Sequence, residues 1–376
     1  MILAALAALI WLYLYFLHGH FWQSGPELVP ASPPPDAAAV DIVIPARDEE
    51  ETIGAVIASL LAQNYPAPFR VILVDDGSTD ATAARARAAA SGDPRFVLVS
   101  GAAKPPGWSG KLWALDQGVA RSDAALLLFT DADITHDPHH LATLVARMET
   151  PERGARLDMV SEMVRLNCES RAERALVPAF VYFFQMLYPF ARVNDPFSST
   201  AAAAGGTVLI RRAALERIGG IAAMRGALID DVTLARHVKR GGTVFLGHSG
   251  LARSIRPYPR LADIREMIAR TAFTQLRYSA ALLVLTLIGL ALVWLVPPLA
   301  VIFGSGWTFA LGLIAYGLAV LSYQPTLRRY GVSGFWALAL PVIALIYMEA
   351  TLASALRHWR GTGAQWKSRD YGLEKT

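Results

Sequence analysis

The chain is expected to be an α/β protein: a mostly parallel sheet in the middle, with apolar membrane helices at both ends. Three observations carry this. Between residues 41 and 240, short apolar runs alternate with segments of helical spacing, the pattern of βαβ units. Acidic pairs close two of the runs: Asp75-Asp76 follows Val71 to Val74, and Asp131-Ala132-Asp133 follows Ala125 to Phe129. Finally, no Asp, Glu, Lys or Arg occurs between Arg277 and Arg328, an interval long enough for two helices of roughly 20 residues each.

Residues 2–17 are apolar, with no basic region ahead of them and no small-residue cleavage site. A short membrane anchor is therefore expected rather than a cleaved signal. Trp11, Tyr13, Tyr15 and Trp22 resemble interfacial side chains around it. Residues 25–39 carry Pro26, Pro30, Pro33, Pro34 and Pro35 and read as a stiff linker. Strands are expected at 41–45, 69–74, 96–99, 125–130, 158–164 and 207–210, and helices at 49–62, 79–90, 111–120 and 138–148. The aromatic stretch 177–190 is too short to span a bilayer; it is either a core helix or a helix lying in the membrane interface. The small-residue segment 198–206 suits a close approach of backbone. Candidate spans are 282–303 and 308–323, turned at Gly304-Ser305-Gly306-Trp307. A third apolar run, 335–356, contains Pro341 and Glu349 and lies between Arg328-Arg329 and the basic tail (Arg357, Arg360, Lys367, Arg369). Basic residues at both ends conflict with the positive-inside rule for a single span, so a re-entrant or interfacial course is the alternative.

A hydrophobic share of 54% and a charged share of 18% are, respectively, high and low for a soluble protein. The net charge of +4 and pI near 9.2 fit positive-inside topology. With no Lys/Arg run interleaved with aromatics, nucleic acid is not expected as a partner. A single cysteine, Cys168, excludes an intramolecular disulfide.

The chemistry-bearing residues are acidic. Asp131 and Asp133, one residue apart at a strand end, can place one carboxylate on a divalent cation and the other on a sugar hydroxyl, since Mg²⁺ and Mn²⁺ favour such oxygen ligands; the same spacing is also common in loops and helix caps. In Asp75-Asp76-Gly77-Ser78-Thr79-Asp80, Gly77 permits a tight turn and Ser78 or Thr79 can cap the next helix. That leaves one acid in excess of what a cap explains. Lys111 follows Gly107-Trp108-Ser109-Gly110; a lysine at a helix start opposes the helix dipole and calls for an anionic partner, unless it is simply solvated. Asp230-Asp231 opens a helix, where one acid suits the dipole and the other can act as a general base.

These residues sit in stretches that resemble a known family: IPARDEEETI (44–53), VDDGSTD (74–80), PPGWSGKLWAL (105–115), TDADI (130–134), the aromatic stretch 178–196, AAAAGG (201–206), GGIAAMRGALIDDVTLARHVKRGG (219–242) and RTAFTQLRYS (270–279). Together they resemble family 2 inverting glycosyltransferases of the GT-A (Rossmann-like) fold, and within them the hopene-associated glycosyltransferases of bacteria. The resemblance implies that Pro45, Arg47, Glu49, Asp75, Asp76, Lys111 and Asp131 bind the donor. It implies Asp131 and Asp133 as holders of Mg²⁺ or Mn²⁺, and Asp231 with Asp230 as the catalytic acids. Asp48 stands where most members have Asn, and Asp230 where they have Glu. In Thr274-Gln275-Leu276-Arg277-Tyr278, only Arg277 matches the family's arginine motif; it is expected to clamp the donor diphosphate, and the incomplete motif speaks against a processive polymer synthase.

The implied organisation is a membrane anchor (1–22), a linker (23–40), a GT-A domain (41–278), membrane helices (279–356) and a basic tail (357–376). The implied activity is transfer of a single sugar, with inversion, from a nucleotide sugar (UDP-linked in the first instance) to a lipid hydroxyl, with a hopanoid or another isoprenoid or ceramide-like acceptor. The implied setting is the bacterial inner membrane, multi-pass, with the catalytic domain facing the cytoplasm. A processive polysaccharide synthase and a catalytically inactive scaffold are the alternatives.

Overall fold

The structure, a computed structural model, describes residues 1–361, 365–366 and 369–370. Lys367 and the last six residues of the tail lie outside the described residues. The chain divides into two compact units. Of the described residues, the α/β unit holds 26–167, 192–257, 365–366 and 369–370, and the helical unit 1–25, 168–191 and 258–361. Of the expected domain 41–278, residues 168–191 and 258–278 fall in the helical unit. They join it because their apolar side chains pack there: Phe273, for example, clusters with Leu283 and Ala355.

The α/β unit is built on nine strands: β1 (Glu27–Leu28), β2 (Val40–Ala46), β3 (Phe69–Asp75), β4 (Phe96–Ser100), β5 (Leu126–Thr130), β6 (Ile134–His136), β7 (Met159–Arg165), β8 (Thr207–Arg211) and β9 (Val244–Ser254). Their order is β1-β9-β7-β8-β5-β2-β3-β4, with β6 pairing β9. β2 runs parallel to β3 and β5, β3 parallel to β4, and β9 parallel to β1 and β7. β8 is antiparallel to β5 and β7, and β6 to β9. All seven residues of β2 are buried, as a strand covered on both faces requires. The supposed linker is not wholly free: Glu27 and Leu28 pair with His248 and Ser249 as an edge strand.

Helix Gly110–Val119 lies against β2 and β3. Contact this close needs Gly118, where an added Cβ would fall 2.3 Å from Val43 Cγ1. Ser109 caps the helix by accepting the Leu112 N–H at 3.3 Å.

In the helical unit, Ile2–Phe16 spans 15 residues, about 22 Å at 1.5 Å per residue, short of the ~30 Å hydrocarbon core. Trp11 is no interfacial side chain: it is fully buried, donates Nε1–H to the Val293 carbonyl at 2.9 Å and meets Trp294 edge-on. The aromatic stretch belongs to helix Arg171–Leu187, which begins with a Ser170/Glu173 capping box. One face is core. Tyr182 is fully buried with its hydroxyl 2.6 Å from Ser322 Oγ, and Phe183 stacks edge-on with Tyr347. Leu187 at its end is exposed. Among the described residues, three helices are long and apolar enough to cross a membrane: Ala280–Phe303, Gly306–Arg329 and Gly334–Trp359. The lone acid of the third, Glu349, is paired with Arg265 (Nε to Oε2, 2.6 Å).

Gly118→Val should force helix Gly110–Val119 off β2. The expected loss is about 1–3 kcal/mol, as for other overpacked sites, read as a lower midpoint in thermal unfolding.

Candidate active site

The site is assembled at the carboxyl ends of β2, β3 and β5, where ligands bind in open α/β sheets. After β2, Arg47 donates from Nη1 to the carbonyls of Asp76 (2.5 Å) and Gly77 (3.0 Å). Asp48 has a left-handed backbone, φ +50°, which Asn and Asp tolerate better than other L residues. Asp meets that requirement as Asn would. Its carboxylate accepts the Thr79 N–H at 2.8 Å, and its own N–H donates to Ser78 Oγ at 3.0 Å. Ser78 and Thr79 therefore join the two loops and do not cap the next helix. Asp80 accepts the Thr82 N–H (2.9 Å) beside the start of helix Thr82–Ala90. Asp75 accepts the Ser78 N–H at 2.9 Å around Gly77, whose φ is +66°, and Asp76 is buried behind it.

The centre of the site is Lys111, in the first turn of helix Gly110–Val119. Its ammonium is 2.8 Å from Asp131 Oδ1 and 3.2 Å from Asp230 Oδ2. The anionic partner expected for a lysine at a helix start is thus supplied by carboxylates of the protein. Pro45, Lys111, Asp131, Gly205, Asp230 and Asp231 line one cavity. Burial opposes the charge of Lys111, but Asp131, Asp230 and Asp231 outweigh it and hold its pKa well above the usual lysine value. Asp131 is raised, by burial first, with Lys111 opposing and Asp133 adding repulsion. Asp231 is pushed up to about 7, by burial first and by the adjacent Asp230 second. It accepts the Val232 N–H at 2.7 Å and is bonded by the Gly205 backbone. Gly205 has to be small, because an added Cβ would stand 3.1 Å from Asp231 Oδ2. Segment 198–206 thus brings backbone close to the site.

Sequence reasoning missed Arg256. Its Nη2 donates to both oxygens of Glu49 at 2.7 Å, and its Nε to Asp133 Oδ2 at 2.7 Å. Two of the expected site acids are thereby tied to the chain just beyond β9. Arg256 carries no motif, and β9 itself is interrupted by Gly247 and Gly250, so nothing in the local pattern marks it. Arg277 belongs to the helical unit, after helix Leu261–Gln275, with φ +52°.

Asp131 and Asp133 fit Mg²⁺ or Mn²⁺ by donor chemistry: both are hard oxygen ligands, and such ions are commonly held by one or two carboxylates plus substrate phosphates and water. Among the described residues no group of three or more His, Cys, Asp or Glu could hold a metal alone, so the remaining ligands would be substrate oxygens and water.

Behind the site, Lys239 at the end of helix Asp230–Lys239 donates to the carbonyls of Arg192 (3.1 Å), Thr200 (2.7 Å) and Val193. Its three protons thus have three acceptors. Burial lowers its pKa to about 8, with Asp195 opposing.

Comparisons with known proteins agree with this architecture. Residues 41–219 match the family model described as Glycosyl transferase family 2. An N-acetylglucosaminyltransferase of Rhizobium meliloti is 37% identical over 119 residues, 31% of this chain and 27% of that protein. A 4,4′-diaponeurosporenoate glycosyltransferase of Staphylococcus aureus is 40% identical over 97 residues, 26% of this chain and 24% of that protein. The chain thus matches only about a quarter of the length of these relatives. A mannosyltransferase from Pyrobaculum calidifontis, solved with GDP-Man and Mn²⁺, superposes with a TM-score of 0.55 at 19% identity, covering 95% of this chain and 99% of that one; the likeness is one of fold.

Asp231 gives the fold a pH dependence of definite sign. Its native pKa of about 7 lies above the ~3.9 of an ordinary aspartate, so between about pH 4 and 7 the native state holds a proton that the unfolded chain has released, and stability falls as pH rises. Asp231→Asn escapes this burden. Its thermal midpoint should gain on wild type as pH is raised from 5 to 8, and an equal difference at the two pH values would count against the raised pKa.

Proposed function

We propose that this chain, whose residues 41–219 are a Glycosyl transferase family 2 domain of GT-A fold, moves a single sugar from a nucleotide-sugar donor to the hydroxyl of a membrane lipid with inversion. The observation that carries the reading is the Lys111 cluster: one ammonium facing Asp131 and Asp230, with Asp231, raised to about 7, lining the same cavity. A carboxyl with that value can take a proton from a hydroxyl near neutral pH.

In this reading Pro45, Arg47, Glu49, Asp75 and Asp76 form the nucleoside side of the donor site, and Lys111 with Asp131 its diphosphate side. Asp131 and Asp133 would hold Mg²⁺ or Mn²⁺; when bound, the ion neutralises charge on the departing diphosphate. Asp231 accepts the proton of the acceptor hydroxyl as its oxygen attacks the anomeric carbon. The bond from that carbon to the diphosphate oxygen breaks on the opposite face, and the nucleoside diphosphate leaves with the bonding pair. One displacement inverts the anomeric centre. Asp230, paired with Lys111, keeps that lysine charged. Arg277 is left outside this assignment.

A lipid acceptor is supported by the three helices long enough to cross a membrane and by a relative named for 4,4′-diaponeurosporenoate. A hopanoid, or another isoprenoid or ceramide-like lipid, is the acceptor proposed from the sequence resemblance. The donor is a UDP- or GDP-sugar. The chain is placed in the bacterial inner membrane with the α/β unit on the cytoplasmic side, as Arg328-Arg329 at the end of Gly306–Arg329 suggests.

Membranes containing the protein, given a panel of labelled UDP- and GDP-sugars, should place label in the lipid extract. A chelator should abolish this and Mg²⁺ or Mn²⁺ restore it. Label in a polymer instead, or full transfer in excess chelator, would overturn the reading. Asp231→Asn should lower turnover by roughly 10²–10⁴-fold, the range for a lost general base, with nucleotide affinity kept. Wild-type turnover should climb with pH through about 7 as Asp231 ionises.

A further inference from the structure

Four buried polar side chains take no part in the chemistry above. Thr130 ends β5, His136 ends β6, His140 opens helix His140–Glu149 and Glu162 lies in β7; none is more than 5% exposed. They form a continuous chain. His140 Nε2 meets Glu162 Oε1, the two Nδ1 atoms of His136 and His140 are 2.9 Å apart, and His136 Nε2 is 3.1 Å from Thr130 Oγ1.

The chain can run in only one direction. Thr130 donates its single hydroxyl proton to the Gly206 carbonyl at 3.0 Å, so its oxygen accepts from His136 Nε2–H. His136 Nδ1 is then bare and accepts from His140 Nδ1–H. One proton remains, held between His140 Nε2 and Glu162 Oε1, and the whole chain carries no net charge. Burial, with His140 as the second cause, holds the His136 pKa well below the usual histidine value, in keeping with a neutral ring.

The end of the chain is informative. The Gly206 carbonyl that receives Thr130 also accepts the Asp131 N–H at 3.3 Å, and the preceding Gly205 bonds the Asp231 carboxylate. Stability does not call for such a construction, since buried polar groups can often be replaced by apolar ones at little cost. Glu162 Oε2 is moreover buried with no hydrogen-bond partner, a cost that invites a functional reason. We infer that Thr130, His136, His140 and Glu162 are positioning residues whose one-directional hydrogen-bond chain fixes the 205–206 backbone, and with it the placement of Asp131 relative to Asp231. The inference rests on the roles given above to those two aspartates.

The test uses the full-length protein in detergent, well below its unfolding temperature. With ¹⁵N-labelled histidine, His136 should carry its proton on Nε2 and His140 on Nδ1, with a coupling across the Nδ1–H···Nδ1 bond. Glu162→Gln can still donate to His140 Nε2 and should keep kcat within about threefold of wild type. Glu162→Leu removes that donor and should lower kcat by about 10- to 100-fold, the scale of a misplacement near 1 Å, while the affinity for UDP or GDP with Mn²⁺, read by calorimetry, changes little. A purely structural chain would lower the unfolding midpoint of the Leu variant and leave kcat alone. A His136 proton on Nδ1, or an unchanged kcat in Glu162→Leu while wild type transfers sugar, overturns this inference alone. Wild-type protein that labels no lipid overturns it together with the proposed function.

Discussion

The charge balance around Lys111 is the constraint on which the rest of the α/β unit depends. Asp131 arrives from the end of β5, Asp230 and Asp231 from the head of a later helix, and the lysine from a third segment. Carboxylates this close repel one another in a partly buried cavity, and one ammonium keeps the assembly together. Several otherwise unremarkable residues serve that end. Gly118 lets the helix bearing Lys111 lie against β2, Ser109 caps it, and Gly205 leaves room for Asp231. The arrangement is poised: burial and the repulsion among three acids around one ammonium raise the pKa of Asp131 and of Asp231, the latter to about 7, and that is the property a base needs.

Much of this was legible in the sequence, for identifiable reasons. β2, β3 and β5 are short apolar runs buried in a sheet, and such runs stand out against the helices between them. β9 did not stand out, because Gly247, Ser249 and Gly250 interrupt it and its partners β1, β6 and β7 are all distant along the chain. Arg256 went unseen with it. β1 was hidden among prolines. The start of helix Arg171–Leu187 is written in the sequence as Ser170-Arg171-Ala172-Glu173, a capping-box spacing, but the aromatic run downstream carries the stronger apolar signal. The partition into two units could not be read along the chain, since each unit is made of separated segments.

The helical unit follows different rules. Its long helices are apolar on most faces, so hydrophobic contrast alone gives them little reason to choose one register over another. Polar contacts supply one: Tyr182 with Ser322, Gln185 with Thr326, and the Trp11 indole on the Val293 carbonyl. Trp11 shows how composition misleads here. An aromatic residue near the end of an apolar helix suggests a lipid headgroup region, yet its indole N–H is satisfied by backbone and its ring by Trp294.

The grip of Lys239 on the carbonyls of Arg192, Val193 and Thr200 has an evolutionary side. A segment fastened at both roots by one side chain behaves as a cassette: Asn194 is held inside by Leu246, but residues 196–199, with Phe197 turned outward and 91% exposed, can change in length and composition without disturbing what lies beyond the roots. Those roots are held from the last turn of the helix whose first turn bears Asp230 and Asp231. Divergence can therefore rewrite this surface from one descendant to the next while the acids at the far end of the helix keep their places.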